Sequence, residues 1–227
     1  MNRVSMLALV SATTVATAGS AFAQHAGDVW LEIQGNRIVT GLIDEDEVPP
    51  VVTSGVRVFG SDFGEVLPNW TDEPGFDNEL GTFLNGTSIG FNICAALRAW
   101  NGADFSTIPA ERISVGFPTA TSVLTPLGDD FVAGFTIPVD PNNAWHRHLE
   151  YELLAPASTG VYLLELELFS TDSSILPSLP FWLVLNQGED EAVHDAAIEW
   201  VDQNLVPSPS AGALALLGLA MRGRRRR

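Results

Sequence analysis

Short runs of alternating apolar and polar residues, closed by Gly, Pro, Asn or Asp, recur along most of this chain. A strand sends successive side chains to opposite faces, so such runs suit half-buried β-strands better than helices. Val29-Trp30-Leu31-Glu32-Ile33 and Ile38–Ile43, joined through Gln34–Arg37, predict a first hairpin. Val56–Phe59, Ile113–Phe117 and Phe131–Val139 predict further strands, and Ile89–Trp100 one that ends at Asn101-Gly102. Phe181–Leu185, bounded by Pro180 and Asn186, predicts a strand buried on both faces. Trp145–Leu153 and Val161–Phe169 predict a second hairpin around residues 155–160. The expected fold is all-β, a sandwich of jelly-roll type.

Helical spacing is clear in one place. Across Glu189–Asn204 the apolar residues Ala192, Val193, Ala196, Ala197, Trp200 and Val201 fall three and four apart. Glu189, Asp190 and Glu191 suit the positive end of the helix dipole. The expected organisation is a signal peptide over 1–23, a sandwich over 24–187, a packing helix over 188–205 and a tail over 206–227.

Both ends read as addresses. Arg3 is followed by a weakly apolar stretch and then Ala21-Phe22-Ala23, which predicts cleavage by signal peptidase after Ala23 and a mature start at Gln24. The other end combines Val206-Pro207-Ser208-Pro209, the apolar run Ala211–Met221, and Arg222 with Arg224, Arg225, Arg226 and Arg227. That run would reach about 17 Å as a helix, short of a bilayer core of about 30 Å, which suits a processed anchor better than a permanent one. The arginines would stay on the cytoplasmic side.

The tripartite tail resembles the PEP-CTERM sorting signal of bacterial envelope proteins, with Ser208 where the Val-Pro-Glu-Pro box carries Glu. The resemblance implies export, retention at the inner membrane by the tail, and cleavage by an exosortase-type transpeptidase. The body is similar to a group of PEP-CTERM exported proteins of unassigned activity. The phrases that carry this are Trp30, Thr71-Asp72-Glu73-Pro74-Gly75-Phe76-Asp77, Trp100-Asn101-Gly102, the His-x-His strand, Gly160–Leu164 and Pro180-Phe181-Trp182. A related set is described as repressed by the zinc-uptake regulator, which implies a role in zinc supply.

Charge narrows the function further. All 28 acidic residues lie between the two end segments, against Arg37, Arg57, Arg98, Arg112 and Arg147, a formal body charge of −23. Such a surface repels nucleic acid and attracts cations. The chain has no lysine, which excludes Schiff-base chemistry, and no nucleophile elbow, phosphate loop or dinucleotide fingerprint. The single Cys94 rules out an internal disulfide and reads as a small packed side chain.

The richest local feature is Trp145-His146-Arg147-His148-Leu149-Glu150-Tyr151-Glu152-Leu153. On a strand, His146, His148, Glu150 and Glu152 share one face and Leu149, Tyr151 and Leu153 the other. Two imidazoles two positions apart can reach one divalent ion, zinc among them. In the predicted hairpin, Glu165 and Glu167 would lie opposite His148 and His146 as ligands or as acceptors for the imidazoles. His25, at the expected mature terminus, is a third candidate imidazole. The bland counterpart is a solvated strand face.

Asp72, Glu73, Asp77 and Glu79 form a separate acidic loop without the spacing of a calcium loop, and His194 reads as an exposed helix residue. The expected function is therefore a non-enzymatic binding or structural role in the envelope or matrix, with His146 and His148 as the basis of a candidate divalent-metal site. The alternatives are a carbohydrate-binding sandwich that stacks exopolysaccharide sugars on Trp70 or Trp100, and a cupin-like metalloenzyme with Glu152 as a further ligand.

Overall fold

A computed structural model describes residues 27–44, 47–118 and 121–207. His25, Ala23, Gln24, Ser208, Pro209 and Arg224–Arg227 lie outside them. The strands are β1 (Val29–Gln34), β2 (Arg37–Asp44), β3 (Val51–Ser54), β4 (Val58–Asp62), β5 (Trp70–Thr71), β6 (Phe76–Asn78) and β7 (Ser88–Ile93). They continue with β8 (Arg98–Ala99), β9 (Ile113–Phe117), β10 (Thr121–Leu124), β11 (Val132–Pro138), β12 (Glu150–Leu153), β13 (Gly160–Ser170) and β14 (Phe181–Gln187). One helix, α1 (Glu191–Asn204), follows. The fold is mostly β and sandwich-like, as the alternation predicts.

Two four-stranded sheets, β3-β2-β1-β6 and β10-β9-β12-β5, face a larger sheet ordered β11-β7-β13-β14-β4, with β8 also on β13. The main core lies between them. Phe91, Leu164, Leu166, Phe181 and Leu183 come from the large sheet, and Leu31, Ile38, Phe76, Val115 and Tyr151 from the two smaller ones. The opposite face of the large sheet makes a second core, where Val161, Leu163, Trp182 and Val184 meet Ala197, Ile198 and Val201 of α1. This double burial explains why β13 and β14 read as nearly continuous apolar runs.

The first hairpin forms as expected, with Val29 opposite Leu42 and Gln34 opposite Arg37 around Gly35-Asn36. The second does not. Only Glu150–Leu153 of the predicted Trp145–Leu153 strand joins a ladder, and its neighbours are β9 and β5. β13 is occupied on both edges, by β14 on one side and by β7 and β8 on the other. The two segments put their apolar faces into one core from opposite layers, so the Ala155–Gly160 link passes between sheets instead of turning within one. Ile89–Trp100 also splits. After Ile93, opposite Leu166, the Cys94 amide still donates to the Glu165 carbonyl at 3.0 Å, and residues 95–97 then leave the ladder before Arg98 rejoins β13 opposite Leu163.

The helix is rotated relative to the sequence expectation. Its buried residues are His194, Ala197, Ile198 and Val201, while Ala192 and Ala196 are exposed. Trp200 does pack as expected, against Trp100 and Phe105 at centroid distances of 6.0 and 5.9 Å. No helix among the described residues is long and apolar enough to cross a membrane.

Glu165 shows what the double-sided sheet costs. It sits on the second-core side of β13, opposite Trp182 of β14. Burial pushes its carboxyl above the usual range, Asp129 adds to this, and Arg57 and Arg98 oppose it. A carboxyl whose folded value is raised contributes stability at low pH and loses it as pH rises through that value. Glu165→Gln, permanently neutral, should therefore match the wild type near about pH 4 and melt higher at neutral pH. Thermal denaturation across that range checks it.

Candidate metal centre

The site grows from three adjacent backbone segments. β1 and β6 pair in parallel, with Val29 beside Phe76. On the other side of Phe76 lies Arg147: the Phe76 amide donates to the Arg147 carbonyl at 2.8 Å, and the Arg147 amide donates back at 3.0 Å. Val29 and Phe76 are fully buried. By the two-residue period, their neighbours Asp28, Gly75 and Asp77 turn to the outer face. There they meet His146 and His148, which flank Arg147.

The histidine segment is pinned on both sides. Trp145, Leu149, Tyr151 and Leu153 are buried in the core, so the predicted alternation holds even where no ladder forms. The Trp145 indole donates to the Ile137 carbonyl at 3.3 Å. The Arg147 guanidinium pairs with Asp140 at 2.6 Å.

The two imidazoles point one nitrogen at each other and the other at protein acceptors. His146 Nε2 and His148 Nε2 are 3.0 Å apart. His148 Nδ1 lies 3.1 Å from the Asp72 carbonyl and 3.5 Å from Glu73 Oε1. His146 Nδ1 lies 3.5 Å from Asp77 Oδ1, and its Nε2 lies 3.7 Å from Asp28 Oδ2. Ligand atoms of Asp28, His146 and His148 all fall within 4.8 Å of one another. A carbonyl can only accept, so His148 carries its hydrogen on Nδ1 and its Nε2 is an acceptor. With His146 also carrying its hydrogen on Nδ1, toward Asp77, both Nε2 lone pairs would meet at one spot, beside the Asp28 carboxylate.

Without a metal, His146 would donate from Nε2 to His148 Nε2 across this 3.0 Å contact, and a metal ion would take the place of that hydrogen. Tetrahedral zinc with bonds of about 2.0–2.1 Å holds its nitrogens about 3.3 Å apart, so a small rotation of the rings would seat an ion. The Nδ1 acceptors are the outer partners that metal-bound imidazoles characteristically have. His146 is half exposed, and an open depression of about 490 Å³ adjoins both rings, lined also by Phe117, Pro118, Ile137, Pro138 and Asp140. Water or an exchanging partner can thus complete the coordination. Burial pushes the Glu73 carboxyl above its usual range, and the charge of His148 opposes this. Tyr151, fully buried near Glu73, keeps its phenol protonated for the same reason.

The sequence expectation divides at this point. His146 and His148 come together as expected. Glu165 and Glu167 do not join them: Glu165 lies on β13 beside Trp182, and Glu167 accepts from Asn92 at 3.1 Å in the large sheet. The error follows from the hairpin that does not form. His25 lies outside the described residues. The acidic loop expected to stand apart instead supplies Asp72, Glu73 and Asp77 to the histidines. Asp28 was missed, although its place before the inward-facing Val29 marks it as outward-facing. Glu150 and Glu152 share the outer face but line a different groove, of about 240 Å³, with Trp70, Ser114, Gly116 and Thr121. Trp100 does not offer an open stacking face, because it packs on Phe105 at 5.1 Å. Cys94 is half-buried, and burial with Glu165 and Glu167 pushes its thiol up to about 12, so it stays a thiol as expected.

Comparison with known protein families, with curated proteins and with solved structures gives no match. The chemistry of this site therefore rests on its own geometry.

Gly75 is what lets the carboxylate and imidazole meet. A Cβ there would lie 2.5 Å from His148 Cε1 and 2.6 Å from Asp28 Oδ1. Gly75→Ala should cost about 1–3 kcal/mol in denaturant unfolding, through crowding. It should also push His148 away from His146. Gly128→Ala, whose Cβ would have only Asp130 Oδ2 near it, at 3.9 Å, is the control and should be close to neutral.

Proposed function

We propose that this chain is an exported envelope protein whose β-sandwich body binds a divalent transition-metal ion, zinc above all, at His146, His148 and Asp28. The role is that of a binding protein and not of an enzyme. The observation that carries the reading is the convergence of the two Nε2 atoms and the Asp28 carboxylate, with both Nδ1 atoms held by Asp72, Glu73 and Asp77. An imidazole-carboxylate set of this kind favours zinc over calcium or magnesium, which take oxygen ligands.

Export and sorting rest on the sequence of the two ends. The signal peptide and the PEP-CTERM-like tail put the body outside the inner membrane, with signal peptidase and an exosortase-type enzyme as processing partners. Within the body, Val206 still packs against the second core, and Pro207 is exposed. The sequence resemblance of the body to PEP-CTERM exported proteins, a related set of which is described as repressed by the zinc-uptake regulator, implies the same ion. The saccharide alternative keeps the Trp70 groove in its favour, but nothing there converges on a ligand atom as the histidines do.

Zinc should raise the melting temperature of the protein. An ion that binds only the folded state at a hundredfold excess over Kd stabilises it by about 2.7 kcal/mol. The gain should fade as the solution is acidified, because protons and metal compete for imidazole nitrogen. His146→Ala with His148→Ala should remove most of the zinc response and leave the metal-free fold nearly as stable, since these rings are outside the core. An equal response to calcium, or a full zinc response in the double variant, would reduce the row to an acidic, solvated face.

A further inference from the structure

We propose a second divalent-cation site, formed by Asp62, Glu191 and His194 where α1 meets the large sheet. It shares no residue with the histidine row and does not depend on the reading given above. One ligand atom from each of the three residues falls within 4.8 Å of the others.

His194 is the centre of the argument. A histidine on a helix that faces the second core is expected to be replaced by an apolar residue or to have a built environment. It is fully buried, and its Nε2 lies 2.9 Å from the Val184 carbonyl. The carbonyl accepts, so Nε2 carries the hydrogen, and Nδ1 is the nitrogen that can ligate. A backbone carbonyl on the far nitrogen is the arrangement that orients metal-binding imidazoles.

The surroundings hold this geometry from three directions. Glu191 and His194 are three apart on α1 and so share a helix face. The same Glu-x-x-His spacing serves metal sites in helical carboxylate proteins. Asp62 ends β4, in register with Asn186 of β14. The Asn186 side chain accepts from the Glu189 amide at 2.9 Å and donates to the Glu189 carbonyl at 3.2 Å, fixing the turn that delivers the helix. Gly60 makes room for the imidazole: a Cβ there would lie 2.7 Å from Ile198 Cδ1 and 3.3 Å from His194 Cε1.

One nitrogen and two carboxylates suit zinc or manganese and not the soft copper(I). Glu191 is exposed, so water can complete the shell. An ion held there ties the first turn of α1 to the end of β4.

The test is zinc and manganese titration of the full chain against a competing chelator, read together with hydrogen exchange of the α1 amides. The variants are His146→Ala/His148→Ala, His194→Gln and Asp62→Asn/Glu191→Gln. The histidine-row variant should still bind one ion, and that ion should slow exchange in α1. Asp62→Asn/Glu191→Gln, which leaves the buried ring in place, should weaken this event about tenfold or more and abolish its effect on α1. It therefore keeps the test decisive if His194→Gln fails to fold. If the histidine-row variant binds no ion, or α1 exchange ignores the metal, the cluster holds no cation and the proposal falls.

Discussion

The backbone pairing of Phe76 with Arg147 is the joint on which the structure depends. It links the β1-side sheet to the β12-side sheet, which share no ladder among the described residues. Phe76 itself is fully buried, with ring centroids 6.3 Å from Trp145 and 6.2 Å from Phe181 of the large sheet. Truncating a buried Phe costs about 3–5 kcal/mol in typical cores, so the joint is held by packing as well as by its hydrogen bonds. Because the core-facing residues of this row are fixed, its outward-facing residues are fixed too. The candidate metal centre is the outer face of the joint.

That face collects charge which would not gather without an imidazole or a cation among it. Asp28, Glu73 and Asp77 all lie within 3.7 Å of a histidine nitrogen. Exposed ion pairs contribute under about 1 kcal/mol each. Charges 4 Å apart in a partly shielded setting, at an effective dielectric near 20, interact by about 4 kcal/mol. The cluster is thus an electrostatic trap for a positive charge, within a body that already attracts cations through its charge of −23. Attraction alone does not choose among cations. Selectivity for one ion would come from the two nitrogens and from the carbonyl and carboxylates that orient the rings.

Local pattern carried much of the fold. The Gly35-Asn36 hairpin, the bounds of β9, the buried β14 and the presence of a helix are legible because turn chemistry and side-chain period act over a few residues. The alternation of Trp145–Leu153 gave the right face for His146 and His148. It could not give their neighbours. Sequence proximity favoured β13, whereas the partners came from Phe76, some seventy positions upstream, and from β9. For the same reason Glu165 and Glu167 were assigned to the wrong sheet and Asp28 was overlooked. His194 was misplaced because a polar residue on an apolar helix face reads as exposed, and the Val184 carbonyl that satisfies it is a tertiary feature. In each case the missed information is long-range pairing.

The most direct measurement of the central claim is an anomalous difference map from crystals of the body grown with one equivalent of zinc. The account predicts a peak within about 2.0–2.2 Å of both His146 Nε2 and His148 Nε2, with Asp28 completing the protein ligands. Peaks confined to scattered surface carboxylates, with the two imidazoles still in contact at 3.0 Å, would contradict it.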